Sequence, residues 1–172
     1  MNAPILLIGY RATGKTSVAR ILSALSSWSW LDADDIIEER AGCTIAEIFA
    51  KQGETAFRDL EAEILAELVE RPNLIVATGG GAPVRESNRD LIRKAAAVVY
   101  LTATPETIFR RMYGDATTAE RRPSLTDKDP MEEICSLLQV RKPIYESLAT
   151  LTLATDELTP EQLAEKIWAE LA

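Results

Sequence analysis

The stretch that most constrains this chain is Gly9-Tyr10-Arg11-Ala12-Thr13-Gly14-Lys15-Thr16, which fits G-x-x-x-x-G-K-[ST], the P-loop pattern. The pattern carries meaning only between a strand and a helix, and both flanks are present. The apolar run Ile5-Leu6-Leu7-Ile8 precedes it, in a first strand expected over Pro4–Ile8. Lys15–Leu25 follows, with apolar residues at helical spacing. Such a turn aims backbone N–H groups and the positive end of the helix dipole at an anion. Gly9 and Gly14 can adopt backbone conformations that a Cβ makes costly. Lys15 can reach the β- and γ-phosphates as a point charge, and the Thr16 hydroxyl can ligate Mg²⁺. The nucleotide-binding set expected from this loop is Gly9, Ala12, Thr13, Gly14, Lys15, Thr16 and Ser17. ATP or GTP is the implied ligand; the loop alone does not say what receives the phosphate.

Composition narrows the acceptor. The 172 residues suit one domain, and a hydrophobic share of 47% suffices for a core. No apolar run approaches the roughly 18 residues of a membrane span, and the short N-terminal apolar stretch lacks the basic flank of a signal peptide. Cys43 and Cys135 have no metal spacing and read as buried small apolar residues in a reducing, cytoplasmic setting. The net charge of −8 argues against nucleic acid as a partner. An anionic substrate must then be caught by local Lys and Arg. Histidine is absent, so the proton acceptor is expected to be a carboxylate.

A second strand is expected to end on Asp32-Ala33-Asp34-Asp35, at the sheet edge where open α/β folds place ligands. In extended geometry Asp32 and Asp34 would point the same way; one of the three aspartates caps the helix around Ile36–Arg40. Thr44 with Glu47 forms a capping box for Ile45–Ala50. Gly53 opens a longer helix, Glu54–Glu70, with an apolar stripe of Leu60, Ile64, Leu65 and Leu68. Arg58 near its start reads, on local pattern alone, as readily as a surface residue paired with Glu54 or Glu61 as a functional one. A third strand, Leu74–Thr78, runs into Gly79-Gly80-Gly81, a costly triplet to order that makes sense where backbone approaches a ligand closely. Further on come a basic helix over Asn88–Ala95, a strand over Ala97–Leu101 and a helix from Pro105 to about Met112. The polar stretch Tyr113–Thr126, with Arg121 and Arg122, reads as a lid. The helix over Asp129–Ser147 carries Arg141 and Tyr145, and Pro143 predicts a kink or break in it. A fifth strand, Ala149–Leu153, and a helix from Pro160 end the chain. This alternation predicts a three-layer α/β/α domain with a five-stranded parallel sheet.

Taken in order, these pieces resemble the shikimate kinases, small P-loop kinases of the adenylate-kinase-like group. The carriers are Gly9–Thr16, Asp32-Ala33-Asp34 with Ile37-Glu38, and Thr44–Phe49. Gly53–Arg58, Gly79-Gly80-Gly81, Arg122-Pro123, and Arg141 with Pro143 and Tyr145 complete them. The resemblance implies ATP-dependent phosphorylation of a shikimate hydroxyl, in one domain over 1–172 acting as a monomer. It implies Asp34 as holder of substrate hydroxyls and base, and Arg58 and Arg141 as binders of the carboxylate. The glycine triplet would line the pocket, and Arg122 would close over the phosphates. Thr16 and Asp32 would serve Mg²⁺, Asp32 through water. Arg111 would lie near the adenine, and the stretch from Thr155 to Pro160 would be the adenine loop. Two positions depart from the family pattern. Ala12 stands where a third glycine is common, tolerable if its φ is negative, and Arg11 stands where the family has a small or apolar residue. Arg11 either adds charge near the phosphates or faces solvent.

The chemistry suits that reading. Phosphoryl transfer asks for positioning and charge neutralisation, supplied by Lys15, Arg122, Mg²⁺ and loop amides. Two separated arginines suit a carboxylate, which guanidinium binds in a fork. A kinase for another hydroxy acid such as gluconate, or a nucleotide-binding module without catalysis, are the alternatives.

Overall fold

In the computed structural model, which describes residues 3–114 and 129–171, the apolar tetrads fall into a sheet buried on both faces. Strands β1 (Ile5–Ile8), β2 (Ser29–Asp32), β3 (Leu74–Ala77), β4 (Ala97–Thr102) and β5 (Leu151–Ala154) pair in parallel in the order β2-β3-β1-β4-β5. Successive strand side chains point to opposite faces. Leu6, Ile8, Leu74, Val76, Val98 and Tyr100 therefore enter one core, while Ile5, Leu7, Ile75, Ala77, Val99 and Leu101 enter the other. Central strands apolar at every position are the expected signature of a parallel sheet covered by helices on both sides.

The helices are α1 (Lys15–Ser26), α2 (Ala33–Ala41), α3 (Ile45–Val69), α4 (Glu86–Ile92), α5 (Pro105–Gly114), α6 (Pro130–Leu148) and α7 (Pro160–Leu171). Helices α1 and α7 cover one face, through Val18, Leu22, Leu163 and Ile167. Helices α2, α3, α4 and α6 cover the other, through Ile37, Ile64, Leu65, Ile92 and Tyr145. A third cluster, Tyr10, Ala103, Ile108, Met112 and Ile134, joins the P-loop to α5 and α6. The capping box at Thr44 forms as expected, and Gly53, at φ 83°, marks the break between the two parts of α3.

Several expectations are corrected. Asp34 lies in the first turn of α2 rather than on a strand, because Asp32 is the cap: its carboxylate accepts from the Asp34 amide at 3.0 Å. The two side chains therefore diverge. Helix α6 runs unbroken through Pro143. The ring and Gln139, whose carbonyl loses its helical partner, both lie on the exposed face, where water can serve that oxygen. Cys43 packs partly buried against the core, but Cys135 is exposed. A short 3₁₀ turn, Ala82–Val84, follows the glycine triplet. The lid expected over 113–126, with Arg121 and Arg122, falls almost wholly outside the described residues.

Candidate active site

Loops leaving the C-terminal ends of β1, β2 and β3 converge because those strands are neighbours. The P-loop is built around its glycines. Gly9 has φ 143°, and a Cβ there would overlap the Leu101 carbonyl at the end of β4. Gly14, at φ 91°, caps α1 without any side-chain hydrogen bond, which leaves the first-turn amides to a ligand. Thr13, buried, donates its hydroxyl to Tyr10 O at 2.8 Å, tightening the turn. Lys15 curls over the loop and donates to Gly9 O at 2.9 Å and Tyr10 O at 2.7 Å. Its charge is thus held inside the ring of backbone that a phosphate would enter. Ser17 is exposed in the first turn of α1.

Ala12 takes φ 61°, so the condition under which it would be harmless fails. A non-glycine residue in the left-handed region costs on the order of 1 kcal/mol. The loop is clamped around it: Arg111 on α5 donates to Ala12 O at 3.3 Å, and to Thr155 Oγ1 and O at 2.9 and 2.6 Å. Arg111 thereby ties the P-loop to the start of the Thr155–Pro160 stretch.

Thr16 donates to Asp32 Oδ2 at 2.6 Å, which brings together the two residues expected at the metal. A hydroxyl and one carboxylate are hard oxygen donors, few in number, as suits Mg²⁺ that keeps waters and phosphate oxygens in its shell. Among the described residues no group of three His, Cys, Asp or Glu could form an all-protein cage. The donor set fits a metal carried with the nucleotide.

Beside this lies a cavity of about 400 Å³, lined by Asp34, Arg58, Glu61, Gly79, Gly80, Gly81, Arg141, Arg11 and an apolar wall that includes Phe49, Phe57 and Leu137. The volume suits a small molecule. Each glycine of the triplet is matched to a different neighbour. A Cβ on Gly79 would stand 2.9 Å from both Asp34 Oδ1 and Glu61 Oε1. One on Gly80 would stand 3.2 Å from Gly9 O and 3.3 Å from Arg11 N, and one on Gly81 would overlap the Arg58 guanidinium. The triplet lets functional side chains and the P-loop close in on the same backbone. Tyr145 fixes it, donating its hydroxyl to Gly80 O at 2.6 Å. Burial holds the Tyr145 phenol protonated, pushing its pKa up to about 12.

Glu61, read from the sequence only as a partner for Arg58, also belongs to the cavity wall. It is 3% exposed, pairs with Arg58 Nη1 at 3.2 Å, and has its pKa raised by burial despite that cation. A signal existed: Glu61 interrupts the apolar face Phe57, Ile64, Leu65, Leu68 of α3, a position where a carboxylate needs a reason. Leu60, read into that stripe, is only partly buried. Arg58 also meets Glu54 at 3.2 Å, so local pairing and pocket lining hold together. Arg141 is 9% exposed and makes no ion pair with described residues; its guanidinium lies over the Tyr10 ring.

Arg11 does not face solvent. It is buried, ion-paired with Glu133 of α6, and lines the cavity. Arg122 lies outside the described residues.

The profile of the family described as shikimate kinase matches residues 11–172. The chain belongs to the shikimate kinase family. The shikimate kinase of Rhodopirellula baltica is 40% identical over 163 residues, covering 95% of this chain and 87% of that one. That of Thermodesulfovibrio yellowstonii is 40% identical over 166 residues, covering 96% and 93%. Among solved structures, shikimate kinase from Acinetobacter baumannii in complex with shikimate superposes with a TM-score of 0.91 at 37% identity, covering 98% of this chain and 92% of that one. Membership makes this chain an ATP- and Mg²⁺-dependent kinase of shikimate, which accounts for a P-loop and a small anion-binding cavity side by side.

Proposed function

We propose that the cavity receives shikimate with its carboxylate between Arg58 and Arg141 and its reacting hydroxyl on Asp34. The observation that carries this reading is Arg141: a guanidinium 9% exposed, lining a small cavity, with no ion pair among the described residues. Arg141 interacts with the Tyr145 hydroxyl and, at longer range, with the Glu61 carboxyl, and a bound carboxylate would give its guanidinium the fork partner these do not. Arg58 meets the ligand from α3, held at its angle by Glu54 and Glu61. Asp34 orients the hydroxyl and takes its proton late in the transfer.

The P-loop from Gly9 to Ser17 and Arg111 hold ATP, the phosphoryl donor, and Thr16 and Asp32 would hold Mg²⁺, which would supply charge neutralisation at the phosphates. Lys15 swings its ammonium from the loop carbonyls onto the phosphate oxygens. Arg122 adds a second cation from the lid. The glycine triplet keeps acceptor backbone, Asp34 and P-loop within one close-packed layer, which excludes water that would compete as acceptor.

We further propose a single domain over 1–172 working as a cytoplasmic monomer without nucleic-acid or membrane partners. The net charge of −8 supports the absence of nucleic acid, and no helix among the described residues is long and apolar enough to cross a membrane. Two unbridged cysteines support a reducing compartment.

The test is ADP release with ATP and Mg²⁺ against shikimate, gluconate and no acceptor. Release that depends on shikimate supports the reading. Equal release with gluconate, or release without acceptor, contradicts it.

A further inference from the structure

Tyr145 is fully buried and does not line the cavity, yet it touches two groups that do. Its hydroxyl donates to Gly80 O at 2.6 Å, across 65 positions of sequence. The same hydroxyl is hydrogen-bonded to Arg141, on the preceding turn of α6. Residues four apart share one helix face, and a helical side chain lies over the turn before its own Cα, so Tyr145 leans onto the turn that carries Arg141. A phenol has one hydrogen to give and lone pairs with which to accept, whereas a guanidinium only donates. With the hydrogen on Gly80 O, Arg141 is the donor in the second bond.

The oxygen between Arg141 and Gly80 is fixed from the core. The Tyr145 ring packs on the Tyr100 ring, centroids 5.1 Å apart, within the core that α3 and α6 cover. Burial keeps the phenol protonated, so it remains a donor to Gly80. A free arginine side chain samples many rotamers and loses them when it orders around a ligand. Here two rigid aromatic groups restrict Arg141 beforehand: the Tyr10 ring, 5.7 Å from its Cζ, and the Tyr145 hydroxyl.

We infer that Tyr145 is a positioning residue for the acceptor: its hydroxyl sets the Arg141 guanidinium in the cavity before shikimate arrives and ties it to the backbone of the glycine triplet. Without that oxygen Arg141 regains its other rotamers, and the substrate carboxylate has to order it. The inference rests on the proposed role of Arg141 as acceptor ligand.

The test is calorimetric titration of shikimate without nucleotide, with ADP titration and a thermal melt beside it. The proteins are the parent, Tyr145→Phe, Arg141→Ala and the double variant. Tyr145→Phe is expected to weaken shikimate about tenfold, the scale of one hydrogen bond to a charged group, with ADP affinity within about twofold of the parent. In the Arg141→Ala background the same change is expected to cost less than about twofold, because residues that act through one another are not additive. A lowered melting temperature with shikimate affinity unchanged makes Tyr145 a core residue only and overturns the role. An equal loss in both backgrounds also overturns it, since the effect then does not pass through Arg141. If Arg141→Ala weakens shikimate and Tyr145→Phe does not, the Arg141 assignment stands alone. If Arg141→Ala leaves shikimate unchanged, the acceptor assignment falls and this inference with it. Should Tyr145→Phe fail to fold, nitrogen relaxation of the Arg141 guanidinium in the parent decides: order before shikimate is added supports the role, and order gained only with shikimate overturns it.

Discussion

Thr16 donates its hydroxyl hydrogen to Asp32 Oδ2 across 2.6 Å, while Asp32 Oδ1 accepts from the Asp34 amide at 3.0 Å. One carboxylate thus serves two partners, as helix cap through one oxygen and as acceptor for the Thr16 hydroxyl through the other, the oxygen proposed to face Mg²⁺. The tasks separate by substitution. Asp32→Asn keeps a good cap, so stability should fall by less than about 0.5 kcal/mol, whereas Asp32→Ala should lose about 1 kcal/mol. Both should raise the Mg²⁺ concentration needed for half-maximal rate about tenfold, because both remove the negative charge. Thermal melts and a Mg²⁺ titration of the rate check the two halves independently. A normal Mg²⁺ requirement in Asp32→Asn would reduce Asp32 to a cap.

Gly81 tests the packing of the triplet. Its φ is −87°, so alanine is tolerated by the backbone, but the added methyl would overlap the Arg58 guanidinium. Gly81→Ala should therefore raise the KM for shikimate about tenfold by moving Arg58, with KM for ATP unchanged. Steady-state kinetics with each substrate varied in turn gives the answer. An unchanged KM for shikimate would mean that Arg58 does not need its present position.

Burial raises the pKa of Glu61 in the folded chain. The folded form then keeps a proton over a pH window in which the unfolded chain has lost it. That linkage favours folding at low pH, and the benefit is lost as pH climbs from the ordinary glutamate value through the raised one. Glu61→Gln removes this dependence. Its stability relative to the parent should rise with pH across that window and then level off. Urea denaturation of both proteins at a series of pH values measures the difference; a flat difference would count against a buried, titrating Glu61.

Much of this was legible in the residues themselves. The P-loop spacing, the alternating apolar strands and the capping box each carry their own geometry within a few positions. Asp34 stands out as one of three carboxylates at the end of a strand beside the P-loop, whereas Arg58 can be placed at the site only through the family resemblance. What escaped the sequence depends on long-range contact or on a single dihedral angle. The Arg11–Glu133 pair spans 122 positions, and no local pattern marks it. The positive φ of Ala12 follows from how Arg111, Thr13 and Lys15 clamp the loop, which only the folded chain reveals. Helix α6 passes Pro143 because that turn faces solvent, again a tertiary matter.

Lys15→Met should lower kcat by at least about a thousandfold, since its charge acts where negative charge builds up on the transferring group. The fold should survive, because the charge serves a phosphate rather than the core, and the ammonium donates to the Gly9 and Tyr10 carbonyls of its own loop. Circular dichroism and single-turnover kinetics check both statements. Near-normal turnover in a folded variant would remove Lys15 from the catalytic set.

The account's central claim is that Arg58 and Arg141 grip one carboxylate from two helices. The direct measurement is KM for shikimate and for ATP in Arg141→Ala, with Arg58→Ala and the two lysine variants beside it. Losing one partner of a desolvated charge pair costs about 2–4 kcal/mol, so KM for shikimate should rise about thirtyfold or more while KM for ATP hardly moves. Lysine should restore only part of the loss, because an ammonium cannot hold both oxygens in the fork geometry. If the two KM values rise together, or neither rises, the carboxylate clamp is wrong and these arginines serve the fold.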